Sequence, residues 1–359
     1  MMITDRTTLP PLSAAAWSLC YGAFGLWWAA GGAGFPYGPS DRAARMGAVL
    51  VGVPARFTGV VVAFLGLTGA LVGFALAARY RHTGHGGTAL RALAACLGGV
   101  LLLVVPDGRL LLALGELMVL HPERVEAAAA HQAFCAAGGA LLLWAARPSG
   151  GRRHRVLGPV SARRERRFCY LAAALPLLYA GPRLLWALGW TVGLDAATTE
   201  MVTSPTGRTR ELVFAGAAAA GGLLTLGLTQ RWGTRIPGAV PWLGGRRVPI
   251  PLATVPAGVV ALALIGAGAT MWRALAGALL GSSPSEDALS AANWGAWLGN
   301  LAWLPWGIAL AVAVRHYRRR RITDRREGGS GQPVSTPEVS TAVLASSFNA
   351  SSDRTSRGV

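Results

Sequence analysis

Apolar residues are grouped in eight long blocks, and charged residues lie mainly in the short stretches between them. Each block has close to the roughly 20 residues that an α-helix needs to cross a bilayer core about 30 Å thick. The pattern predicts an all-α, polytopic membrane protein with about eight transmembrane helices. We predict these spans at residues 12–34, 57–78, 89–106, 127–146, 168–190, 212–229, 252–272 and 291–314. Because residues 110–120 and 274–280 are also apolar, the third and seventh spans either extend further or precede interfacial helices.

One apolar phrase occurs twice in the chain. Residues 21–32 read YGAFGLWWAAGG and residues 179–190 read YAGPRLLWALGW; both fit Tyr-x4-Leu-x-Trp-Ala-x-Gly at an offset of 158 residues. The phrase opens the first and the fifth predicted spans, which indicates duplication of a four-helix unit. Four spans return a chain to the side where it started, so the sequence predicts a 4+4 parallel internal repeat about an axis along the membrane normal.

The repeat and the loop composition together predict four regions. Residues 1–146 form the first four-helix transmembrane repeat, and residues 168–326 form the second. Between them, residues 147–167 are an arginine-rich linker. Residues 327–359 are rich in Ser, Thr and Gly, a composition that buries little apolar surface, so we predict a disordered tail.

The charge of the chain fits a membrane protein. Charged residues make up 14% of the sequence, mean hydropathy is +0.42, and the net charge is +18 with all 34 basic residues being Arg. A charge of this sign can indicate nucleic-acid binding, but these arginines are concentrated in alternate loops, which is the positive-inside pattern. We therefore predict a multi-pass protein of a bacterial plasma (inner) membrane with both termini in the cytoplasm. The predicted partners are the bilayer and its anionic headgroups, and no nucleic acid.

Motifs for metal, cofactor or nucleophilic chemistry are missing from the sequence. The four cysteines form no CxxC pair, and there is no HExxH, Walker A, GxGxxG or GxSxG pattern. The sequence therefore predicts no metal site and no cofactor, identifies no catalytic residue, and leaves enzymatic activity open while favouring its absence.

The repeated phrase contains the first candidate ligand site. A rise of 1.5 Å per residue puts Tyr21 and Tyr179 near mid-bilayer, where a phenol needs a hydrogen-bond partner or a wet cavity. Arg183 lies four residues after Tyr179, on the same helix face, and could bind an anionic or carbonyl-bearing ligand. It could equally snorkel outward or make a structural hydrogen bond. The eighth span adds a polar and aromatic face, which we include in the predicted site: Asn293, Trp297 and Asn300.

A second group of ionisable residues is predicted at the outer face of the membrane. Its members are Asp107, Arg109, Glu116, His121, His131 and Arg273. Charged side chains are least costly near the headgroups, so a salt-bridged rim is favoured over a catalytic cluster. The Glu and His residues between 116 and 131 could alternatively bind a metal or relay protons, or lie in a solvated loop.

The phrase YAGPRLLWALGW, together with RWGTRIPGAVPWLGGRRVP at 231–249, resembles uncharacterised multi-pass membrane proteins common in GC-rich actinobacteria. The resemblance implies a membrane architecture and no activity. The first half differs from the second at Gly25, which aligns with Arg183.

Three functions remain open from sequence. The first, which we favour, is small-molecule or lipid binding or transport in a cleft between the two repeats. The second is an enzyme acting on a lipid-like substrate, for which the Glu and His residues of 116–131 would have to converge. The third is a non-catalytic accessory or signalling protein.

Overall fold

Eleven α-helices account for most of the chain that the computed structural model describes, residues 8–38, 50, 52–83, 87–118, 121–148, 159–235, 244–281 and 289–329. Short 3-10 turns and one isolated bridge between Arg235 and Arg247 complete this part, which contains no strand. The helices are α1 Leu9–Ala29, α2 Ala55–Thr83, α3 Thr88–Leu103, α4 Gly108–Met118, α5 Ala127–Ala145, α6 Pro159–Ala187, α7 Ala196–Thr203, α8 Pro205–Gly227, α9 Ile250–Leu279, α10 Trp294–Leu298 and α11 Trp303–Gly329.

The predicted all-α class is confirmed. Of the eight predicted membrane spans, five or six correspond to segments that could cross a membrane. Five segments of the described chain are long and apolar enough to cross a membrane: α2, α5, α6, α9, and the stretch Ala291–Thr323 that includes α10 and α11. A sixth is added if the bent pair α3 and α4 is one span. The eight-helix 4+4 arrangement is therefore not confirmed. The first and sixth predicted spans correspond to α1 and α8, which are not among these candidate segments. The first two turns of α8 contain the charged residues Arg208, Arg210 and Glu211.

A bend of 61° separates α3 from α4, and Pro106 lies in the break. Proline has no N–H to donate and disfavours helical backbone at the residue before it, so α3 ends just ahead of it. Asp107 then caps α4, because its Oδ1 accepts the Arg109 backbone N–H at 2.9 Å. The apolar residues after the third predicted span thus form a separate helix. The corresponding residues after the seventh span continue in α9, which is unbroken over 30 residues.

Glycines bring α1 and α2 into backbone contact. A Cβ added to Gly25 would meet the backbone of Ala63 and lie 2.7 Å from the Gly59 carbonyl oxygen, and Gly66 lies against Gly22 in the same way. Small residues allow this close approach, which gains van der Waals contact where lipid offers no hydrophobic drive for helix association.

The described helices have two apolar cores. One consists of side chains from α1, α2, α3 and α5, and the other of side chains from α6, α8, α9 and α11. The bent segment contacts the second group as well: Leu111 of α4 packs on the second core, and a Cβ on Gly266 of α9 would lie 2.9 Å from Pro106.

Two predicted region boundaries fall within helices. Helix α6 begins at Pro159, inside the predicted linker 147–167, since the Arg, Glu and Ala residues of that stretch are good helix formers. Helix α11 reaches Gly329, and residues 330–359 of the predicted tail lie outside the described chain. By its contacts the chain divides into a unit ending at Arg318 and a second unit, Arg319–Val359.

We expect Gly25→Ala to destabilise the protein, because the new methyl group has no space against the α2 backbone. Overpacking of this kind costs about 1–3 kcal/mol. The measurement is thermal unfolding in detergent micelles. Gly216→Ala in α8 is the control, since a Cβ there meets no atom within 4 Å. Equal melting temperatures for the two variants would contradict close α1–α2 packing.

Candidate functional site

A buried polar cluster lies where α5, the α3–α4 break and the segment after α1 meet. We call it the Tyr37 cluster, after the residue that connects its members. All are buried except the half-buried His131. The cluster consists of Tyr37, Asp107, Arg109, His131 and Gln132.

Hydrogen bonds and a ring contact join these side chains. The Tyr37 hydroxyl lies 2.9 Å from His131 Nδ1, and the Arg109 guanidinium carbon lies 5.3 Å from the centroid of the Tyr37 ring. Asp107 donates its backbone N–H to Gln132 Oε1 at 3.1 Å, and its Oδ2 is 3.7 Å from Arg109 Nε. Burial raises the pKa of the Tyr37 phenol well above its usual value, so the hydroxyl stays protonated. The cluster therefore fixes the α3–α4 break against α5.

Tyr21 lies beside this cluster. Its hydroxyl accepts a hydrogen bond from the Cys135 thiol at 3.5 Å, and its ring is stacked on Trp17 at 4.9 Å between centroids. Trp28 and Tyr21 both have ring centroids within 6 Å of the His131 ring. Tyr21 thus has the hydrogen-bond partner that a buried phenol requires, and it packs within the first apolar core.

Arg183 makes a buried ion pair between α6 and α8. Its Nη1 donates to Glu211 Oε2 at 2.6 Å, and its guanidinium carbon lies 4.3 Å from the centroid of the Tyr179 ring. The Phe214 ring lies on a further side at 5.4 Å. Glu211 is only 2% exposed and has Arg210 as a weaker partner at 3.6 Å. For Arg183 the sequence left open a ligand contact, an outward-pointing side chain or a structural hydrogen bond. In the structure its guanidinium makes a hydrogen bond to Glu211, which the opposite charge and the neighbouring aromatic rings strengthen.

The polar residues of the eighth predicted span contact neighbouring segments. Asn293 donates to the Thr198 hydroxyl of α7 at 3.1 Å, and Trp297 donates to the Ser290 carbonyl oxygen at 3.2 Å. Asn300 is half-buried in a 3-10 turn ahead of α11. The predicted ligand-site residues are therefore distributed: Tyr21 belongs to the first core, and Tyr179 with Arg183 packs on the second.

The ionisable group predicted at the outer face divides into two sets. Asp107, Arg109 and His131 meet in the Tyr37 cluster. Arg273 of α9 is close enough to interact electrostatically with Asp107, and it donates to the Thr270 hydroxyl at 3.1 Å.

The remaining members form exposed or partly exposed pairs on the surface. His121 Nδ1 lies 2.9 Å from Glu123, and Glu116 lies 3.8 Å from Arg124. A backbone hydrogen bond, followed by the bond with His121, lowers the pKa of Glu123. The Glu and His residues of 116–131 do not converge on one point, and no group of three metal-ligating side chains is found among the described residues.

Three residues that complete these pairs were missed from sequence: Tyr37, Gln132 and Glu211. Tyr37 lies in a loop and is 94 residues from its partner His131. Gln132 follows His131 directly in an otherwise apolar helix. Glu211 is a lone carboxylate at the start of an apolar block, and that isolation is the one sign of it in the sequence, since a buried carboxylate needs a partner.

An apolar cavity of about 500 Å³ lies between α8, α9 and α11. We call it the α8–α11 cavity. Three of its lining residues, Trp232, Gly233 and Val248, are in the segments that connect α8 to α9, and we call this end of the cavity its mouth. Within the helices its walls are formed by residues that include Gly221, Leu224, Leu228, Ala257, Trp306 and Leu310.

The mouth of the α8–α11 cavity is held in place by hydrogen bonds. The Tyr317 hydroxyl of α11 donates to the Gly233 carbonyl oxygen at 3.0 Å, and Val248 N–H donates to the Thr234 carbonyl oxygen at 3.1 Å. Three arginines next to these residues are exposed to solvent: Arg235, Arg246 and Arg247. The cavity thus combines an almost entirely apolar lining with three arginines close in sequence to its mouth residues, which we call the arginine rim.

A second apolar cavity, of about 460 Å³, lies between α6 and α10. Trp186, Trp190 and Trp294 line it together with Pro182. The Trp186 indole N–H donates to the Val192 carbonyl oxygen at 3.3 Å. Like the lining of the α8–α11 cavity, its lining includes no arginine among the described residues, and here no exposed arginine is next to a lining residue in the sequence.

Comparison with known proteins gives no match for this chain. No protein-family profile, no curated protein and no solved structure is significantly similar to it. The geometry of the sites is therefore the basis for a functional proposal.

We expect Arg183→Ala to lower the free energy of unfolding by about 3–5 kcal/mol, because it leaves Glu211 as a buried charge without its main partner. The measurement is thermal or denaturant unfolding in micelles. Arg210→Ala is the matched control, since Arg210 is half-exposed and its contact with Glu211 contributes less than about 1 kcal/mol. Replacing both partners, Arg183→Met with Glu211→Leu, should restore most of the stability. A similar small loss in both single variants would refute a stabilising buried pair.

Proposed function

We propose that this chain is a multi-pass membrane protein that binds an anionic amphiphile. The apolar chain of the ligand occupies the α8–α11 cavity, and its anionic head contacts the arginines at the mouth. The observation that supports this most directly is the combination of an apolar cavity of about 500 Å³ with an exposed arginine rim.

The size and lining of the cavity favour a lipid-like ligand. Its volume is within the range of about 300–1,000 Å³ that is usual for small-molecule sites. Thr225 is the one polar side chain among its described lining residues besides the indole N–H groups of tryptophan; the others are apolar, which suits a hydrocarbon chain and offers little to a polar solute. A soluble polar metabolite is therefore disfavoured.

The rim supplies the charge that a lipid-like head would require. Arg246 and Arg247 precede Val248 at the mouth, and Arg235 pairs with Arg247 through the isolated backbone bridge. Arginine binds carboxylate and phosphate groups through parallel hydrogen bonds, so an anionic head is preferred over a zwitterionic or neutral one.

The proposed site differs from the one predicted from sequence. Tyr21, Arg183 and Asn293 all have protein partners, so a ligand in a cleft between the repeats would have to displace existing contacts. The alternative of a lipid-modifying enzyme needs converging acid and base groups, and the described Glu116 and His121 are at the surface.

We also propose that the chain has eight spans in a 4+4 parallel repeat, in a bacterial inner membrane with cytoplasmic termini. Matching neighbours in the two halves support this. Helix α1 contacts α2 and α5, and α6 correspondingly contacts α8 and α11. Helix α3 contacts α5, just as α9 contacts α11 through Gly268 and Gly307.

Cysteine accessibility tests whether α8 crosses the membrane. The native exposed cysteines are first replaced, Cys20→Ala and Cys96→Ala. We then expect Ala197→Cys to be labelled in intact cells and Arg246→Cys to be labelled only after the membrane is opened. The reagent is a membrane-impermeant maleimide, applied before and after the membrane is opened. Both added cysteines are at exposed positions on either side of α8. Labelling of both from one side would contradict the eight-span topology.

Radiolabelled stearate binding in a scintillation proximity assay tests the ligand proposal. We expect Ala257→Phe, which fills the α8–α11 cavity, to weaken binding at least about tenfold, equal to about 1.4 kcal/mol. Val259→Phe is the matched control, because Val259 of α9 does not line the cavity and is 42% exposed. Equal affinities in the two variants would mean that stearate binds only as a surrounding lipid.

The same assay tests the arginine rim. The double variant Arg246→Gln with Arg247→Gln should bind stearate more weakly than wild-type protein does. The affinity for the neutral stearyl alcohol, measured by its competition with stearate, should not change. Weaker binding of both ligands would indicate damage to the cavity instead of loss of a charged contact.

A further inference from the structure

One buried hydrogen-bond donor in the wall of the α8–α11 cavity has no acceptor. Trp306 of α11 is 6% exposed, and its indole Nε1 makes no hydrogen bond within the described chain. The ring carbon Cζ2, two bonds from Nε1, lies 4.0 Å from the position of a Cβ on Gly221, the lining residue of α8 that is farthest along the helix from the mouth. The lining hydroxyl of Thr225 donates to the Gly221 carbonyl oxygen at 2.7 Å.

Trp306 also lies far from any lipid headgroup. It precedes Arg315, the first arginine after the apolar run of α11, by nine residues, which is about 14 Å along the helix. That depth is near the middle of a hydrocarbon core about 30 Å thick. An indole N–H is unfavourable there without an acceptor, because hydrocarbon offers none.

A buried water is stable where it has two to four polar partners. Among the described lining side chains near Trp306 only Thr225 is polar, and its hydroxyl proton is already donated to the Gly221 carbonyl oxygen. An oxygen that belongs to the ligand is held in place by the rest of the ligand and needs no further polar partners, so it is the acceptor that fits this lining best.

We propose that Trp306 recognises an oxygen atom carried in the buried chain of the ligand, such as a keto, ether or hydroxyl oxygen. This inference rests on the proposed function and narrows its ligand class to oxygen-bearing anionic amphiphiles. Gly227 at the mouth and Gly221 at the deep end are about 9 Å apart along α8. The oxygen is therefore near the middle of a long fatty chain, well separated from the head.

The experiment compares stearate with a ketostearate whose keto group is at mid-chain, using wild-type protein in the scintillation proximity assay. One added hydrogen bond is worth about 0.5–1.5 kcal/mol, so we expect ketostearate to bind about threefold to tenfold more tightly. Trp306→Phe keeps an aromatic ring and removes the donor. It should abolish this preference, which is read as the ratio of the two affinities within one variant and does not depend on how the smaller ring changes the affinity for stearate itself.

Trp232→Phe is the matched control. Trp232 also lines the cavity, but its indole N–H donates to Gln230 at 2.7 Å and is not available to a ligand. This variant should keep the preference for ketostearate. The comparison of two fatty acids in unmodified protein needs no variant, so it tests the inference even if Trp306→Phe does not fold.

The outcomes separate the two proposals. Equal affinities of wild-type protein for stearate and ketostearate, both weakened by Ala257→Phe, would overturn the role of Trp306 and keep the proposed function. A preference that persists in Trp306→Phe would overturn it as well. Binding of neither fatty acid, or binding that Ala257→Phe does not affect, would refute the proposed function itself.

Discussion

The need to pair every polar group inside an apolar surrounding determines how these helices are arranged. A charge or an N–H group that hydrocarbon cannot solvate needs a partner within the protein or in a bound ligand. Arg183 and Glu211 meet this requirement by joining α6 to α8 at 2.6 Å. Gln132 meets it by accepting the Asp107 backbone N–H at the α3–α4 break, where the helix can no longer supply an acceptor of its own. In both places a polar contact fixes the relative position of two segments, which apolar packing alone determines less strictly.

The two ways of joining a helix pair are physically different. At Gly25 the backbones of α1 and α2 touch, so the contact is short-ranged and independent of charge. Arg183, which aligns with Gly25 in the repeated phrase, holds α6 and α8 through a long side chain and a carboxylate. A glycine also brings α6 and α8 together, since a Cβ on Gly222 would lie 2.8 Å from the Ala173 carbonyl oxygen. The pair α6 and α8 therefore combines both kinds of contact, and α8 contributes to the wall of the α8–α11 cavity as well.

Local information was sufficient for the positions of the helices and insufficient for their contacts. Hydropathy predicts each apolar block because twenty successive residues determine whether a helix can be buried in lipid. The partner of Tyr37 is 94 residues away and that of Arg183 is 28 residues away, so neither pair leaves a pattern in a short window. Pro106 did mark a break, but the direction of the bend depends on Gly266 and Gln132, which lie on other helices. The α8–α11 cavity is formed by three helices and could not be inferred from any one of them.

The α3–α4 break has a consequence for the order in which the chain assembles. Asp107 bonds to Arg109 and Gln132, and Tyr37 bonds to His131, so these polar contacts involve residues synthesised before position 133. These contacts of the first half can therefore form while the ribosome is still making the second. Pro106 is then already held in place when Gly266 of α9, which packs against it, is synthesised.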